Sequence, residues 1–497
     1  MTLRTRGAAG ALWVGAVVSL SSCTIVLGID DLSPADPDAS VDAEAPTKEG
    51  GSVDATLADD AGPGADATAA DVSTADVEVA RTIPVIVQDS VVGIPPLGAL
   101  YGSDLRFGEA LAFSPDGTWL AIGAPGAARS DSDAGATGQV QLVNISLEPG
   151  HAGTLFVSLL DPGGADPAPG ASFGRSLAFS PDGRYLAVGA PQEPHTVTIS
   201  GDVYLYALTS NGWSYQATLE PDNRSATWFG NTVAFNAPAF TTPPPDDVLF
   251  VAATGDTTEQ DAGKSATSAC VSAYLFTDAG VESKAYGTVT SPYQQDGFGW
   301  SLAVTSDAGV VLIGAPFPGV PAYVSGLVYV TSLANLGPDA GLADGNYPYA
   351  YSDMQSSLFG YSLALTVDGS EVLIGAPRDG GVVSSLELNA VAPPSFGNFS
   401  GPFTDPDFDG GRFGECVVAN TQRAIIGDPA RDDGVCLMGS LPASGLAVSP
   451  LKDAPDPIPA SGSRYGATLA TTYDGAFVAI AAPGTQGTPP PVVYLTR

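Results

Sequence analysis

Basic residues and histidine are scarce in this chain: 18 Lys plus Arg stand against 54 Asp plus Glu, with two His, in 497 residues. The formal net charge of −36 repels a phosphate backbone and makes nucleic acid a poor partner. Two histidines leave little material for a His-rich metal site, and four cysteines in a chain of this length are too few for a disulfide scaffold. Long apolar runs are lacking too. The stretch 8–20, behind Arg4 and Arg6, falls short of the roughly 20 residues that cross a bilayer and reads as the core of a signal peptide. What abounds is Gly (60) and Pro (42), residues of turns, beside a 44% hydrophobic content that suits a folded protein.

Leu20-Ser21-Ser22-Cys23 follows the apolar stretch and resembles the bacterial lipobox. That resemblance implies a diacylated Cys23, cleavage on its N-terminal side, and a membrane partner held through more than one acyl chain. Residues 1–22 are then a lipoprotein signal peptide. Thr24 in the position after the cysteine, where Asp is absent, points to the outer membrane or cell surface of a bacterium. Between 30 and 78 the sequence is dominated by Asp, Ala, Pro, Gly, Ser and Thr, with Lys48 as its single basic side chain. A segment that buries little and repels itself does not offset its chain entropy, so 23–80 is expected to be a disordered acidic tether.

Beyond the tether one phrase recurs. RFGEALAFSPDGTWLAIGAP begins at Arg106 and SFGRSLAFSPDGRYLAVGAP at Ser172, and weaker copies start at Phe229, Phe298, Phe359, Phe413 and Tyr465. Each copy reads as an antiparallel meander. Strand 1 follows Phe-Gly, as in 176–179; a Pro-Asp-Gly type turn leads to strand 2, as in 185–190, which ends at Gly-Ala-Pro. Strand 3 is clearest at 203–206 and strand 4 at 213–219. Four-stranded units of this kind suit propeller blades.

The recurring phrase resembles the FG-GAP repeats of integrin-α propellers and of many bacterial surface proteins, over residues 81–497. The resemblance implies an all-β fold: a seven-bladed β-propeller of four-stranded antiparallel blades, at the cell envelope. It also directs attention to calcium, which the family often holds in a DxDxDG-like loop between strands 1 and 2. Here that loop is a short turn with lone Asp116, Asp182, Asp368 or Asp474. One DxDxDG occurs, with Asp405, Asp407 and Asp409, but it precedes Phe413-Gly414 and so stands outside the family position; these three are weak candidates for Ca²⁺, and no other cofactor is expected.

Catalytic constellations are wanting. Gly170-Ala171-Ser172-Phe173-Gly174 fits a nucleophile elbow in letters but sits at a blade entrance, and His151 and His195 have no acid or cysteine beside them. The function expected is therefore non-enzymatic binding or adhesion to a protein or glycan. The alternative is a carbohydrate-active propeller enzyme, a polysaccharide hydrolase or lyase, which needs carboxylates converging near the central channel. Glu109 and Glu415 are the visible ones; the equivalent positions hold Arg175, Asn231, Trp300 and Tyr361.

Three further expectations concern the blades. Cys270, Cys416 and Cys436 are expected to be unpaired, because strands two places apart lie about 9.5 Å from each other. Recognition is expected on the face of the strand 2 to 3 loops, 126–138, 192–201 and 255–269. The last repeat supplies three strands before Arg497, so the apolar segment 83–92 is expected to complete it from outside 492–496.

Overall fold

A computed structural model of the chain describes residues 81–496 apart from short stretches, most of them inter-strand loops. The signal and tether segments, Cys23, His151, His195 and Asp405, Asp407 and Asp409 lie outside the described residues. Among the described residues there is no α-helix, and the strands form seven antiparallel sheets in chain order.

Each sheet is a meander whose first strand follows a Phe-Gly or Tyr-Gly, or in the third sheet, Phe229–Phe235, begins with it. The second sheet shows the plan: Ser176–Phe179, Tyr185–Ala190, Asp202–Thr209 and Gly212–Leu219, each paired with the next. In the Ser180-Pro181-Asp182-Gly183 turn the Ser180 hydroxyl donates to Asp182 at 2.6 Å, and Asp182 accepts the Arg184 N–H at 2.8 Å. Burial by itself raises the Asp182 carboxyl. The hydrogen bonds from Ser180 and Arg184 outweigh it and hold the group below the usual range. Asp116 and Asp368 are held low in the same way, so these aspartates serve the turn.

No single core fills the molecule. Apolar clusters lie between successive sheets, one joining the first and second, one the second and third, and so on until Phe107 and Leu111 pack with Ala479, Ala481 and Val493 of the seventh. The ring side chains of the repeat, Phe107, Phe173, Phe229, Phe298, Phe359, Phe413 and Tyr465, are all buried in these seams. Each such side chain contributes about 1.5–3 kcal/mol by leaving water.

The motif glycines explain how close the sheets approach. In each Phe-Gly turn the glycine has φ between +85° and +89°, a region closed to most side chains. At five of the seven junctions its carbonyl faces a glycine near the end of strand 2 of the preceding sheet, with Ala481 and Ala252 in that place at the other two: a Cβ on Gly189 would lie 2.0 Å from Gly230 O, and one on Gly375 2.1 Å from Gly414 O. The Ser or Thr that opens strand 1 ties the same junction. Ser176 Oγ donates to Gly230 O at 2.7 Å, Ser362 Oγ to Gly414 O at 2.8 Å, and Thr468 Oγ1 to Glu109 O at 3.3 Å. The last of these joins the seventh sheet to the first, so the first strands close a circuit and the sheets stand around it as a β-propeller.

Two expectations need correction. The strand that completes the seventh sheet is Val91–Ile94, paired with Val492–Thr496, while Ile86–Gln88 lies outside it and Arg81–Pro84 pairs with Thr154–Leu159 of the first sheet. The segment is thus shared between two sheets, because each had an open outer edge. Second, Cys416 is disulfide-bonded, and Cys270 is a free buried thiol. Cys436 pairs through its backbone with Gly427, as Cys416 does, and its side chain lies outside the described residues.

Candidate functional site

The residue after each motif glycine is held by one repeated turn. Its backbone N–H donates to the carbonyl three residues earlier, at 2.9–3.1 Å in all seven copies, from Glu109 to Arg106 O through Ala467 to Arg464 O. This fixes Glu109, Arg175, Asn231, Trp300, Tyr361, Glu415 and Ala467 at equivalent places around the closed circuit. All seven are buried, none more than 4% exposed. Sequence reasoning listed six of them as equivalents, and the structure brings them together at one end of the axis.

Ion pairs occupy both carboxylates. Arg175 Nη1 donates to Glu109 Oε1, and Arg106 Nη1 lies 3.3 Å from Glu109 Oε2. Arg464 Nη2 is 3.0 Å from Glu415 Oε1, and Arg412 Nε 2.9 Å from Glu415 Oε2. Burial pushes the Glu415 carboxyl up, against the pull of Arg412 and Arg464, and Asp428 adds to the rise. Burial and then the neighbouring Arg106 lower Arg175 to about 9, which leaves it charged at neutral pH. Across the axis Trp300 and Tyr361 pack with ring centroids 5.6 Å apart, and burial pushes the Tyr361 hydroxyl up to about 12, with Glu415 next in effect. Arg412, Arg175 and Arg464 oppose this rise.

Sequence reasoning missed the arginines before the motif ring residue. Arg106, Arg412 and Arg464 occupy the same repeat position, and that recurrence in three of the repeats was the available signal. Their side chains are 22%, 31% and 14% exposed, so they stand at the mouth of the buried ring. The long strand 2 to 3 loops leave from the same end. Gly126 N–H donates to Leu105 O at 3.2 Å, Gln192 N–H to Ala171 O at 3.0 Å, and Gly255 N–H to Thr227 O at 3.2 Å, each acceptor lying just before a motif turn.

Other candidate groups do not assemble. Ser172 donates to Gln192 Oε1 at 2.6 Å and sits at a sheet entrance, where no strand-to-helix elbow exists. Among the described residues no group of three or more His, Cys, Asp or Glu converges to hold a metal ion. Asp296, just before Phe298-Gly299, is a buried acid that accepts from Ser291 Oγ at 2.7 Å and from Phe298 N–H at 3.1 Å. Burial raises its carboxyl to about 6.

No family profile matches the chain, and no curated protein matches it. Among solved structures it is similar to the β-propeller domain of Cps50 (Swd1) from Myceliophteria thermophila, at 12% identity and TM-score 0.47, over 78% of this chain and 95% of that one. It is similar to Sqt1 of Chaetomium thermophilum at 13% identity and TM-score 0.46, over 78% and 85%. Hydrazine synthase of Kuenenia stuttgartiensis gives 11% identity and TM-score 0.46, over 78% of this chain and 94% of that one.

Proposed function

We propose that this chain is a cell-envelope lipoprotein, anchored through Cys23, whose seven sheets are the blades of an FG-GAP-type propeller that binds a protein or glycan without catalysing a reaction. The observation that carries the non-enzymatic reading is the state of Glu109 and Glu415. Each carboxylate is engaged by two arginines, whereas glycoside chemistry needs one carboxyl free to give a proton and another free to attack or to activate water. Recognition then falls to the loops 126–138, 192–201 and 255–269, whose first residues hydrogen-bond just before the motif turns.

The anchor rests on Leu20-Ser21-Ser22-Cys23 and on the distance an acidic tether would set between membrane and propeller. Metabolic labelling with a fatty acid, followed by membrane fractionation, should mark the wild-type chain and leave Cys23→Ser unlabelled and uncleaved at that site. Persistent labelling of the Ser variant would sink the anchor. For the binding reading, retention of envelope proteins and glycans on the full chain should fall when these loops are replaced by Gly-Ser segments. Equal loss on substituting the Asp-Gly turns at the opposite end would contradict it.

A further inference from the structure

The axial end is divided by chemistry. Consecutive sheets six, seven and one carry Arg412, Arg464 and Arg106 at the same repeat position, and the second sheet adds Arg175; sheets three, four and five present Asn231, Trp300 and Tyr361. Blade seven holds Ala467 where its neighbours hold Glu415 and Glu109, so Arg464 has no acid in its own turn and reaches across to Glu415. Four arginines thus meet two glutamates. Asp428, which accepts the Arg412 N–H at 2.6 Å, is a third acid beside these four arginines, in a chain whose formal total is −36.

The uncharged half supplies a second, independent observation. Trp300 Nε1, the Tyr361 hydroxyl and the Asn231 amide have no hydrogen-bond partner although the three residues are at most 4% exposed. A buried donor left unpaired costs about 1–3 kcal/mol, so three such groups at equivalent turn positions of consecutive sheets are donors awaiting an acceptor. We propose that the axial mouth is a binding site for the carboxylate of an acidic protein segment, an Asp or Glu side chain entering between the arginines and the Asn231, Trp300 and Tyr361 donors. The proposal rests on the reading of the propeller as a binding module and names its ligand's chemistry.

An anion matches this lining on both sides: charge against the arginines, lone pairs against the indole, phenol and amide protons. The unpaired Asn231 carbonyl oxygen suits a backbone N–H of the same segment. A sugar acid fits less well. The Trp300 ring is packed against Tyr361 at 5.6 Å and Phe317 at 4.9 Å and offers no free face to a pyranose, whereas a carboxylate on a flexible stem is narrow enough to enter.

The test uses the full chain in detergent micelles and calorimetric titration with acetyl-Glu₄-amide, acetyl-Gln₄-amide and glucuronate. Saturable binding of the Glu peptide is expected, weakened by salt and at least about tenfold weaker for the Gln peptide. Tyr361→Phe should weaken the Glu peptide about tenfold without lowering Tm, since it removes a hydroxyl that has no partner in the free protein. Arg412→Gln should weaken it as well. Equal binding of the two peptides, glucuronate binding as tightly, or indifference to Tyr361→Phe would overturn the site. A loop-dependent partner retained unchanged by Tyr361→Phe would leave the binding-module reading standing and overturn the axial site alone.

Discussion

At the scale of single residues, the groups that stand out are polar side chains held where water does not reach. Asp296 is 1% exposed, and burial raises its carboxyl from 3.8 to about 6, with Ser291 and Phe298 N–H opposing the rise. The folded state therefore keeps a proton that the unfolded state releases near 3.8. Stability from this group is complete below that value and is lost as pH climbs through about 6. The loss is on the order of 3 kcal/mol over that window. Asn at this position cannot ionise and still accepts through its carbonyl. Urea unfolding of Asp296→Asn should lack this fall between pH 4 and 6, and a slope as steep as the wild type's would contradict the assignment. Nothing in the sequence distinguishes Asp296 from the other acids, because Tyr329, which interacts with it, stands on the distant strand Leu327–Thr331. Glu109 and Glu415 were visible as motif neighbours, and one arginine partner of each, Arg106 or Arg412, stands three residues before it, but the second, Arg175 or Arg464, arrives from an adjacent sheet. Pairing of that kind has no signature in local spacing.

At the scale of the strand and turn, most of the architecture was legible. Val492–Thr496, Tyr185–Ala190 and Ser176–Phe179 lie where the repeat put them, since short apolar runs, the last two bounded by Pro-Asp-Gly and Gly-Ala-Pro, admit few other readings. The purpose of Gly-Ala-Pro was legible only in part. Proline ends the ladder, but the glycine is set by the neighbouring sheet, whose Phe-Gly carbonyl occupies the space of its Cβ. Gly375→Ala would place a methyl 2.1 Å from Gly414 O and 2.2 Å from Ser362 Oγ, and the fifth and sixth sheets would have to part. The expected cost is on the order of 3 kcal/mol, the scale of overpacking a close contact. Gly93→Ala is the matched comparison within a strand, because its nearest neighbour is Val492 Cγ1 at 3.6 Å, and its stability should stay within about 0.5 kcal/mol of wild type. Chemical denaturation of the two variants decides between a steric and a propensity origin for the motif glycine: similar losses in both would favour propensity.

At the scale of the whole molecule, the weak point of any closed circuit of sheets is the seam where the first meets the last. Elsewhere adjacent sheets are joined by continuous chain; here they are joined by side chains, backbone pairing and the segment 81–97. That segment straddles the seam. Arg81–Pro84 pairs with the outer strand Thr154–Leu159 of the first sheet, and Val91–Ile94 pairs with Val492–Thr496 of the seventh. It then returns to the first sheet, where Leu97 N–H donates to Gln141 Oε1 at 2.9 Å and Gln141 Nε2 to Pro95 O at 3.3 Å. Ile94 is fully buried in the cluster that also holds Phe107, Val493 and Leu495. Removing the segment would therefore strip the seam of an apolar anchor and of its backbone ladder together, and would bare the edge of Val492–Thr496 to other chains. A chain lacking residues 24–80 should melt within a few degrees of the full-length protein, since the pairing begins at Arg81. Extending the deletion through Ile94 should lower the melting temperature sharply and bring on aggregation through the bared edge. Deletion only through Gln88 separates the contributions: it removes the outer strands on both sheets and leaves Val91–Ile94 in place, so it should fall between the other two and nearer to the first. If all three truncations melt alike, the seam is held by Thr468, Phe107 and their neighbours alone, and the segment 81–94 adds nothing to closure.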